Sequence, residues 1–298
     1  MSEFDLEPYL QSRRVLVDAA LERFLPPEST APPAVHRAMR YSVLAGGKRL
    51  RPILVIAGAE AVGGHADMVL PSACALELIH TYSLIHDDLP AMDDDDYRRG
   101  QLTSHKVFGE AMAILAGDAL LTPAFRLVAE NAAHVKDSRV ICDVVAEIAS
   151  AAGTGGMVGG QVVDIESEGK TITPETLDYI HTHKTAALIR ASLRVGAMLA
   201  GARPAALEAI SAAGHRLGLA FQIVDDILDV EGSLEELGKT AGSDERKQKA
   251  TYPAVHGLDA SRRRARTLLD EAQAALAPLG PAAQPVLALA DFIFERRS

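Results

Sequence analysis

Two aspartate-rich clusters, at residues 87–93 and 225–229, each follow a strongly apolar stretch of the chain. Carboxylates in such a position are not ordinary solvated charges, because buried charges need metals or paired cations. Hard divalent ions prefer oxygen ligands, and Mg²⁺ commonly binds through one or two carboxylates together with substrate phosphates. The clusters therefore predict a Mg²⁺ site that holds a diphosphate between them, and Mn²⁺ is the alternative metal.

The second cluster has the spacing of a helical face. Asp225, Asp226 and Asp229 stand at i, i+1 and i+4, which at about 100° per residue places them within roughly a third of the helix circumference. We expect this face to hold a cation.

The first cluster needs a break in its helix. Asp87 and Asp93 are six residues apart, or about 240° around a regular helix, so they share a metal only if the helix is distorted between them. Pro90 supplies the distortion, because it removes a backbone donor and moves Leu89 away from helical geometry.

Composition predicts the fold that must position these residues. Of the 298 residues, 48% are hydrophobic and 23% charged, Trp is absent and aromatic residues are only 4%. Such a chain can bury a large core, and its abundance of Ala and Leu favours helix. No Pro-, Gly- or Ser-rich linker divides it, so we predict one domain over 1–298, an all-α bundle around a deep central cavity.

Helix punctuation and apolar patterning place ten helices. Thr173-Pro174-Glu175 is typical of a helix start, and Gly63-Gly64 and Gly201 are typical of helix ends. Glycines within 153–160 are expected to let helices pack closely or bend around the cavity. The predicted helices span 34–44, 50–62, 67–89, 108–132, 138–153, 175–200, 204–230, 246–256, 260–276 and 283–296.

Charge and cysteine content indicate which kinds of partner and which compartment suit the protein. A net charge of −10 disfavours nucleic acid and anionic membranes. We recognise no signal sequence and no uninterrupted apolar run of about 18 residues, so we expect a soluble, cytoplasmic protein without membrane insertion. Cys74 and Cys142 lie in apolar helical contexts and fit a reducing compartment.

Basic residues lie where phosphates would bind. Lys48 and Arg51 follow a Gly-Gly pair, and Arg98 and Arg99 follow the first acidic cluster. Arg offers a bidentate fork to phosphate, and Lys offers a point charge. Lys184 stands in an apolar helix, where we expect it to meet an anion in the cavity, because burying an unpaired charge is costly.

Two polar side chains are predicted to face the same cavity. Thr185 follows Lys184, and Gln222 precedes Asp225 by three residues. Their oxygen atoms would stabilise a nearby positive charge.

Seven ordered motifs over almost the whole chain resemble those of short-chain trans-polyprenyl diphosphate synthases. The similarity is greatest to bacterial-type farnesyl diphosphate synthases, whose first aspartate-rich motif also carries two extra residues. The motifs are GGKRLRP at 46–52, SLIHDDLPAMDDD at 83–95, RRG at 98–100, GGQ at 159–161, HKT at 183–185, FQIVDDILD at 221–229 and KATYP at 249–253.

The resemblance implies a fold, a ligand set and a role for each matching residue. It implies a helical bundle of the isoprenoid synthase type, a homodimer, and three Mg²⁺ ions per site. The metal ligands would be Asp87, Asp93 and Asp225, supported by Asp88 and Asp229. The allylic diphosphate would be held by Arg98, Lys184 and Lys239, and isopentenyl diphosphate by Lys48, Arg51, His80 and Arg99, with Lys249 near the cavity mouth.

The implied reaction is a prenyl transfer. Ionisation of the allylic diphosphate would give an allylic cation that isopentenyl diphosphate attacks, with Thr185 and Gln222 facing the charge. Tyr82 and Ser83 lie about five residues before Asp87, roughly 7.5 Å along a helix, where a growing tail would arrive. With Tyr82 as a plug, the resemblance predicts farnesyl diphosphate, made from dimethylallyl through geranyl diphosphate.

Three alternatives remain open. A geranylgeranyl diphosphate synthase would share every catalytic residue and differ in cavity depth. A terpene cyclase would not need the second cationic pocket that Lys48, Arg51 and Arg99 provide. A non-catalytic partner subunit would normally lack some of the acidic ligands that this chain keeps.

Overall fold

A computed structural model describes residues 4–231 and 251–295, and regular structure in these ranges is almost entirely helical. The all-α prediction is confirmed. The first half contains α1 (Leu6–Phe24), α2 (Pro33–Leu44), α3 (Leu50–Glu60), α4 (Ala66–Asp87), α5 (Ser104–Phe108), α6 (Glu110–Glu130) and α7 (Arg139–Ala152). The second half contains α8 (Met157–Ser167), α9 (Pro174–Ile180), α10 (Ala187–Leu199), α11 (Pro204–Glu231), α12 (Tyr252–His256), α13 (Leu258–Leu276) and α14 (Gln284–Glu295).

Short irregular elements join these helices. Strands β1 (Tyr97–Arg98) and β2 (Gln101–Leu102) form an antiparallel hairpin directly after the first acidic cluster. The 3₁₀ segments Asn131–Ala133 and Ala277–Ala283 follow α6 and α13.

Three of the described helices were not predicted from the sequence. The first, α1, fully buries only Val17, Ala20 and Leu21, and its other apolar residues are partly buried or, like Val15, exposed, so its apolar stripe is poorly defined. The short helix α5 (Ser104–Phe108) overlaps the predicted helix over 108–132 only at Phe108. The third, α8, follows the glycines at 153–156, in a stretch for which the sequence predicted only close helix packing or a bend around the cavity.

One predicted helix has an unexpected interior. The span 175–200 divides into α9, a π-helical segment (His181–Ala186) and α10. Its apolar residues continue through all three parts, so periodicity alone predicted one regular helix. Widened turns of this kind are frequent at functional sites.

The core has two clusters of buried apolar side chains that meet at the central helices. One cluster is built mainly by α1, α2, α4, α6 and α7, and the other mainly by α3, α10, α11, α13 and α14. Both α3 and α10 contribute to both clusters, and this packing fixes α4 relative to α11. The two acidic clusters, which end or lie within these helices, therefore stand on a rigid base.

Helix α4 is apolar on nearly all sides, as a central helix should be. Its buried Glu77 accepts a hydrogen bond from Arg49 Nη1 at 2.7 Å, and Arg49 also contacts Asp18 Oδ1 at 2.8 Å. Arg49 is therefore an internal anchor for the loop at 46–49, not a ligand of the cavity.

Four helical stretches are long and apolar enough to cross a membrane by length and composition alone: Ala66–Asp87, Glu110–Ala133, Arg139–Ser167 and Leu258–Ile293. Polar or charged residues interrupt each of these stretches, so none is an uninterrupted apolar run of about 18 residues. The apolar residues of Ala66–Asp87 belong to the protein core, because 78% of its most apolar window is buried in the bundle.

Candidate active site

A cavity of about 700 Å³ opens between α4, α8, the π-helical segment and α11. It brings together most of the residues that the sequence nominated, although they come from distant parts of the chain. The predicted site residues that line it are Arg51, His80, Tyr82, Ser83, Asp87, Arg98, Arg99, Lys184, Thr185, Gln222 and Asp225.

The remaining nominated residues lie elsewhere. Lys48 lines a small neighbouring pocket, which shares Phe221 as a wall with the main cavity. Of the acidic residues that the structure describes, Asp88, Asp93 and Asp229 are not part of the cavity lining. Lys239 and Lys249 fall outside the described residues.

The first acidic cluster lies where helix α4 ends and a turn begins. Helix α4 stops at Asp87, and the chain turns back so that the Asp93 N–H donates to the Asp87 carbonyl oxygen at 2.8 Å. Pro90 thus lies in a turn beyond the helix, which ends two residues before the end of the predicted helix over 67–89; the turn supplies the predicted break between Asp87 and Asp93. The turn still serves the expected purpose, because it returns Asp93 to the end of α4.

Asp88 ties this turn to the hairpin. Asp88 is 3% exposed, and its carboxylate accepts a hydrogen bond from Arg98 Nε at 2.7 Å. Burial alone would lower the pKa of Arg98, but the bond and charge of Asp88 outweigh burial and raise it. Arg98 therefore stays charged at the cavity wall.

The acidic residues after Asp93 find partners on the hairpin and α5. Asp95 Oδ2 lies 3.5 Å from Arg98 Nη2, and Asp96 Oδ1 lies 2.7 Å from Lys106 Nζ. Asp94, Asp96 and His105 place ligand atoms within 4.8 Å of one another. Because Lys106 already supplies a cation there, this group is not a second metal centre in our account.

The second acidic cluster divides between the cavity and the core. Asp225 lines the cavity, whereas Asp226 is 4% exposed and accepts from the Tyr252 N–H at 2.7 Å. The expectation that Asp225, Asp226 and Asp229 act from one face is therefore wrong for Asp226, whose carboxylate is engaged with other parts of the protein. A spacing of i and i+1 separates two side chains by about 100°, enough to put one in a cavity and the next in the core.

A cationic pocket lies on another wall of the cavity. Arg51, His80 and Arg99 line it together, and the buried Arg51 Nε has no hydrogen-bond partner within the described part of the chain. Burial, followed by repulsion from Arg99, lowers the pKa of Arg51 to about 10. Burial and the neighbouring Arg51 charge also hold the pKa of His80 well below its usual value. Such a pocket calls for an anion, because buried polar groups in native proteins are normally paired.

Lys184 is positioned by close helix packing. A Cβ atom on Gly160 would lie 2.2 Å from the Lys184 backbone nitrogen, so glycine lets α8 approach the π-helical segment. Lys184 Nζ donates to Asp164 Oδ2 of α8 at 2.5 Å. The ammonium is thus held at the cavity wall by a carboxylate.

Thr185 and Gln222 form a connected pair. Thr185 Oγ1, in the π-helical segment, donates a hydrogen bond to Gln222 Oε1 of α11 at 2.7 Å. Both residues line the cavity. The expectation that they face one cavity agrees with this placement.

The apolar wall of the cavity comes from α8 and α4. Val158, Val162 and Ile165 follow helical spacing on α8 and line the cavity. On α4, the Tyr82 ring meets the His86 ring edge-on at 5.7 Å. His86 sits against Gly117 of α6, where a Cβ atom would lie 2.2 Å from His86 Nε2. The Tyr82 ring therefore contacts a side chain that is itself packed against α6.

The donor set fits magnesium. Asp87 and Asp225 line one cavity, and Asp93 is held next to the end of α4, so the acidic groups are all hard oxygen donors. The same cavity carries a cluster of Arg and Lys side chains that would attract a polyanion. Carboxylates for a hard metal beside cations for an anion suit a metal–diphosphate complex.

Sequence reasoning missed several residues of the site. Asp164, the partner of Lys184, was not predicted, and Gln161, whose buried Oε1 has no described partner, was named only as part of the GGQ motif and given no role; both belong to the unpredicted helix α8. The apolar residues of α8 did carry a signal, because 158, 162 and 165 follow the spacing of one helical face. Nothing in the local sequence indicated the pairing of Asp226 with Tyr252.

Comparisons with known proteins agree with this geometry. The family model for polyprenyl synthetase matches residues 32–277. The chain is 47% identical to farnesyl diphosphate synthase of Geobacillus stearothermophilus over 92% of each chain. It is 46% identical to geranylgeranyl diphosphate synthase of Cyanophora paradoxa, over 100% of this chain and 98% of the relative.

A solved structure extends the agreement to the fold. The geranyltransferase of Helicobacter pylori, crystallised with magnesium and isoprenyl diphosphate, superposes with a TM-score of 0.86 at 33% identity. The match covers 99% of both chains.

Proposed function

The chain belongs to the polyprenyl synthetase family and is a trans-prenyltransferase; from this we propose that it makes farnesyl diphosphate. The reaction would be two head-to-tail condensations of isopentenyl diphosphate, first with dimethylallyl and then with geranyl diphosphate. One observation carries the proposal: carboxylates, half-buried cations and an apolar wall line a single cavity.

The residues divide between two diphosphates. Asp87, Asp93 and Asp225, supported by Asp88 and Asp229, would hold Mg²⁺, three ions per site by the family resemblance. Arg98 and Lys184 would hold the allylic diphosphate beside the metal. Arg51, His80 and Arg99 would bind isopentenyl diphosphate, with Lys48 reaching in from the neighbouring pocket.

When bound, Mg²⁺ supplies positive charge that stabilises the leaving diphosphate more than the intact ester. The side chains of the protein stabilise the positive charge of the allylic cation. Thr185 and Gln222 present oxygen atoms to it, and such preorganised dipoles are effective because they need no reorientation during the reaction. The α8 wall excludes water that would otherwise capture the cation.

Carbon–carbon bond formation completes the cycle. The double bond of isopentenyl diphosphate attacks the cation, and loss of a proton restores a double bond in the elongated chain. The released diphosphate is the proton acceptor in this proposal, because the lining carboxylates are assigned to metal and His80 is assigned to binding the diphosphate group of isopentenyl diphosphate.

Tyr82 supports a farnesyl product. Tyr82 is 8% exposed, lies five residues before Asp87 on α4, and contacts the His86 ring edge-on. A growing chain that extends along α4 from the metal end meets this ring, and Ser83 lines the cavity beside it. The packed His86–Gly117 contact leaves the ring little room to move aside.

A geranylgeranyl product is the second candidate. It is favoured by relatives of similar identity that carry this name, including the protein of Cyanophora paradoxa. In that case the chain would pass Tyr82 and use the same catalytic residues.

We also propose a homodimer in the cytoplasm. Val107, Ile114 and Leu115 are exposed on α5 and α6, and a second copy of the chain would cover this apolar face. Light scattering coupled to size-exclusion chromatography would measure the mass directly.

The test of the proposed function is a product assay. Purified protein is incubated with Mg²⁺, labelled isopentenyl diphosphate and each allylic starter, and the dephosphorylated alcohols are separated by chromatography. Farnesol as the main product supports the proposal, and geranylgeraniol supports the second candidate. Absence of any elongation would overturn both.

A further inference from the structure

A buried hydrogen-bond network lies behind Gln222, on the side away from Thr185. Gln222 Nε2 donates to Asp226 Oδ1 at 2.9 Å, and the Tyr252 N–H donates to Asp226 Oδ2 at 2.7 Å. His181 Nε2 lies 3.2 Å from Asp226 Oδ2. Asp226 and His181 are each 4% exposed, so the network is part of the protein interior.

The network determines how the Gln222 amide is oriented. A carboxylate only accepts hydrogen bonds, so the amide nitrogen must face Asp226. The amide oxygen then faces the other way, where it accepts the Thr185 hydroxyl at 2.7 Å. Because that hydroxyl proton is directed at Gln222, the Thr185 oxygen keeps its lone pairs available for the cavity.

The opposite amide orientation would be harmful in a cavity that forms a cation. It would place N–H dipoles, with their positive ends outward, where an electron-rich oxygen is needed. Without a fixed acceptor behind it, an amide can turn over to suit other partners.

We propose that Asp226 is a positioning residue, locked by the Tyr252 backbone and His181, that holds the Gln222 oxygen toward the reacting carbon. Its task differs from that of its neighbour Asp225, because it acts through Gln222 and binds no metal. The inference rests on the proposed prenyl transfer, and it adds Asp226 and His181 to the residues that serve the cation.

A double-mutant cycle tests the proposal. Asp226→Asn replaces one acceptor oxygen by an NH₂ group, so Gln222 turns over or loses its fixed orientation. We expect kcat to fall roughly 10²-fold, as for loss of one preorganised dipole, while KM for both diphosphates stays within about threefold. In a Gln222→Leu background, Asp226→Asn should then lower kcat by no more than about twofold, because the group through which it acts is gone.

The contrary results are distinct. If Asp226→Asn lowers kcat by the same factor with and without Gln222, Asp226 acts independently and the proposal fails. A raised Mg²⁺ requirement in Asp226→Asn would instead make Asp226 a metal residue and also overturn it. Absence of prenyl transfer in the unsubstituted protein would refute the proposed function before the cycle is read.

A milder substitution and a spectroscopic signal guard against misfolding. His181→Phe keeps an aromatic ring near Tyr252, whose ring centroid lies 5.8 Å away, but removes the ring nitrogen beside Asp226. We expect a smaller loss in kcat of roughly 10-fold, again absent in Gln222→Leu. The Gln222 side-chain NH₂ signals in NMR, assigned by their loss in Gln222→Leu, should be protected from exchange in the wild type and unprotected in Asp226→Asn; equal protection would contradict the fixed amide.

Discussion

The two aspartate clusters use the same residue types with different backbones. Helix α4 ends at Asp87 and leads into a turn, whereas α11 continues beyond Asp225 to Glu231. In each cluster the first aspartate lines the cavity, and the second is buried, Asp88 at 3% and Asp226 at 4% exposure.

The buried aspartates show a shared division of roles. Asp88 binds Arg98 of the hairpin, and Asp226 binds the Tyr252 backbone and Gln222. In both clusters one carboxylate faces the cavity while its neighbour connects the helix that carries the cluster to another segment. Paired aspartates are therefore not interchangeable, and substitutions should separate their effects.

The largest effect should follow loss of a cavity aspartate. Asp87→Ala or Asp225→Ala removes a proposed metal ligand, and kcat/KM in the product assay should fall by at least roughly 10³-fold, since metal-borne charge stabilisation is worth several kcal/mol. Asp94→Asn is the matched control, because Asp94 is exposed in the same acidic loop and asparagine tolerates its positive φ of 51°. Equal losses in all three variants would remove the distinction between cavity and loop aspartates.

Loss of Asp88 should chiefly affect the structure of the turn. Asp88→Asn weakens the bond to Arg98, and we expect about 1–3 kcal/mol less unfolding free energy in urea titration. Activity should fall roughly 10- to 100-fold through misplacement of Arg98. Loss of activity as large as that of Asp87→Ala, with unchanged stability, would assign Asp88 to metal.

Substitutions at Tyr82 and at Gly117, which contacts His86, should change product length in opposite directions. Tyr82→Ala opens the end of the cavity, so geranylgeraniol should increase, whereas Tyr82→Phe keeps the ring and the original product. Gly117→Ala adds a Cβ where it would meet His86 at 2.2 Å, which pushes His86 toward the cavity and should increase the share of geraniol. An unchanged product distribution in Tyr82→Ala would refute the plug.

The smallest effect concerns pH and the cationic pocket. Because burial and Arg51 depress the pKa of His80 in the folded protein, the unfolded chain binds more protons below its ordinary pKa of about 6.5. Stability linked to His80 is fully present above that pH and is lost as the pH falls below it. His80→Asn should therefore show a shallower decline in melting temperature between pH 7 and 5 than the wild type; parallel curves would exclude this linkage.

The sequence predicted the helical architecture and the nominated cavity residues better than it predicted local geometry. Asp87 and Arg98 could be nominated because carboxylates and guanidinium groups beside apolar helices have few other uses. The π-helical segment could not, because its apolar pattern resembles that of a regular helix. The burial of Asp226 depends on Tyr252, which lies in a distant segment, so no local pattern could separate it from Asp225.

The most direct test of the two-cluster account is calorimetric binding of a non-ionising allylic thiolodiphosphate with and without Mg²⁺. We predict that Mg²⁺ strengthens binding in the wild type, and that Asp87→Asn and Asp225→Asn abolish this gain, while Asp88→Asn and Asp226→Asn retain it. Equal binding without Mg²⁺ in the wild type, or loss of the gain in Asp226→Asn as complete as in Asp225→Asn, would contradict the division between metal-facing and structural aspartates.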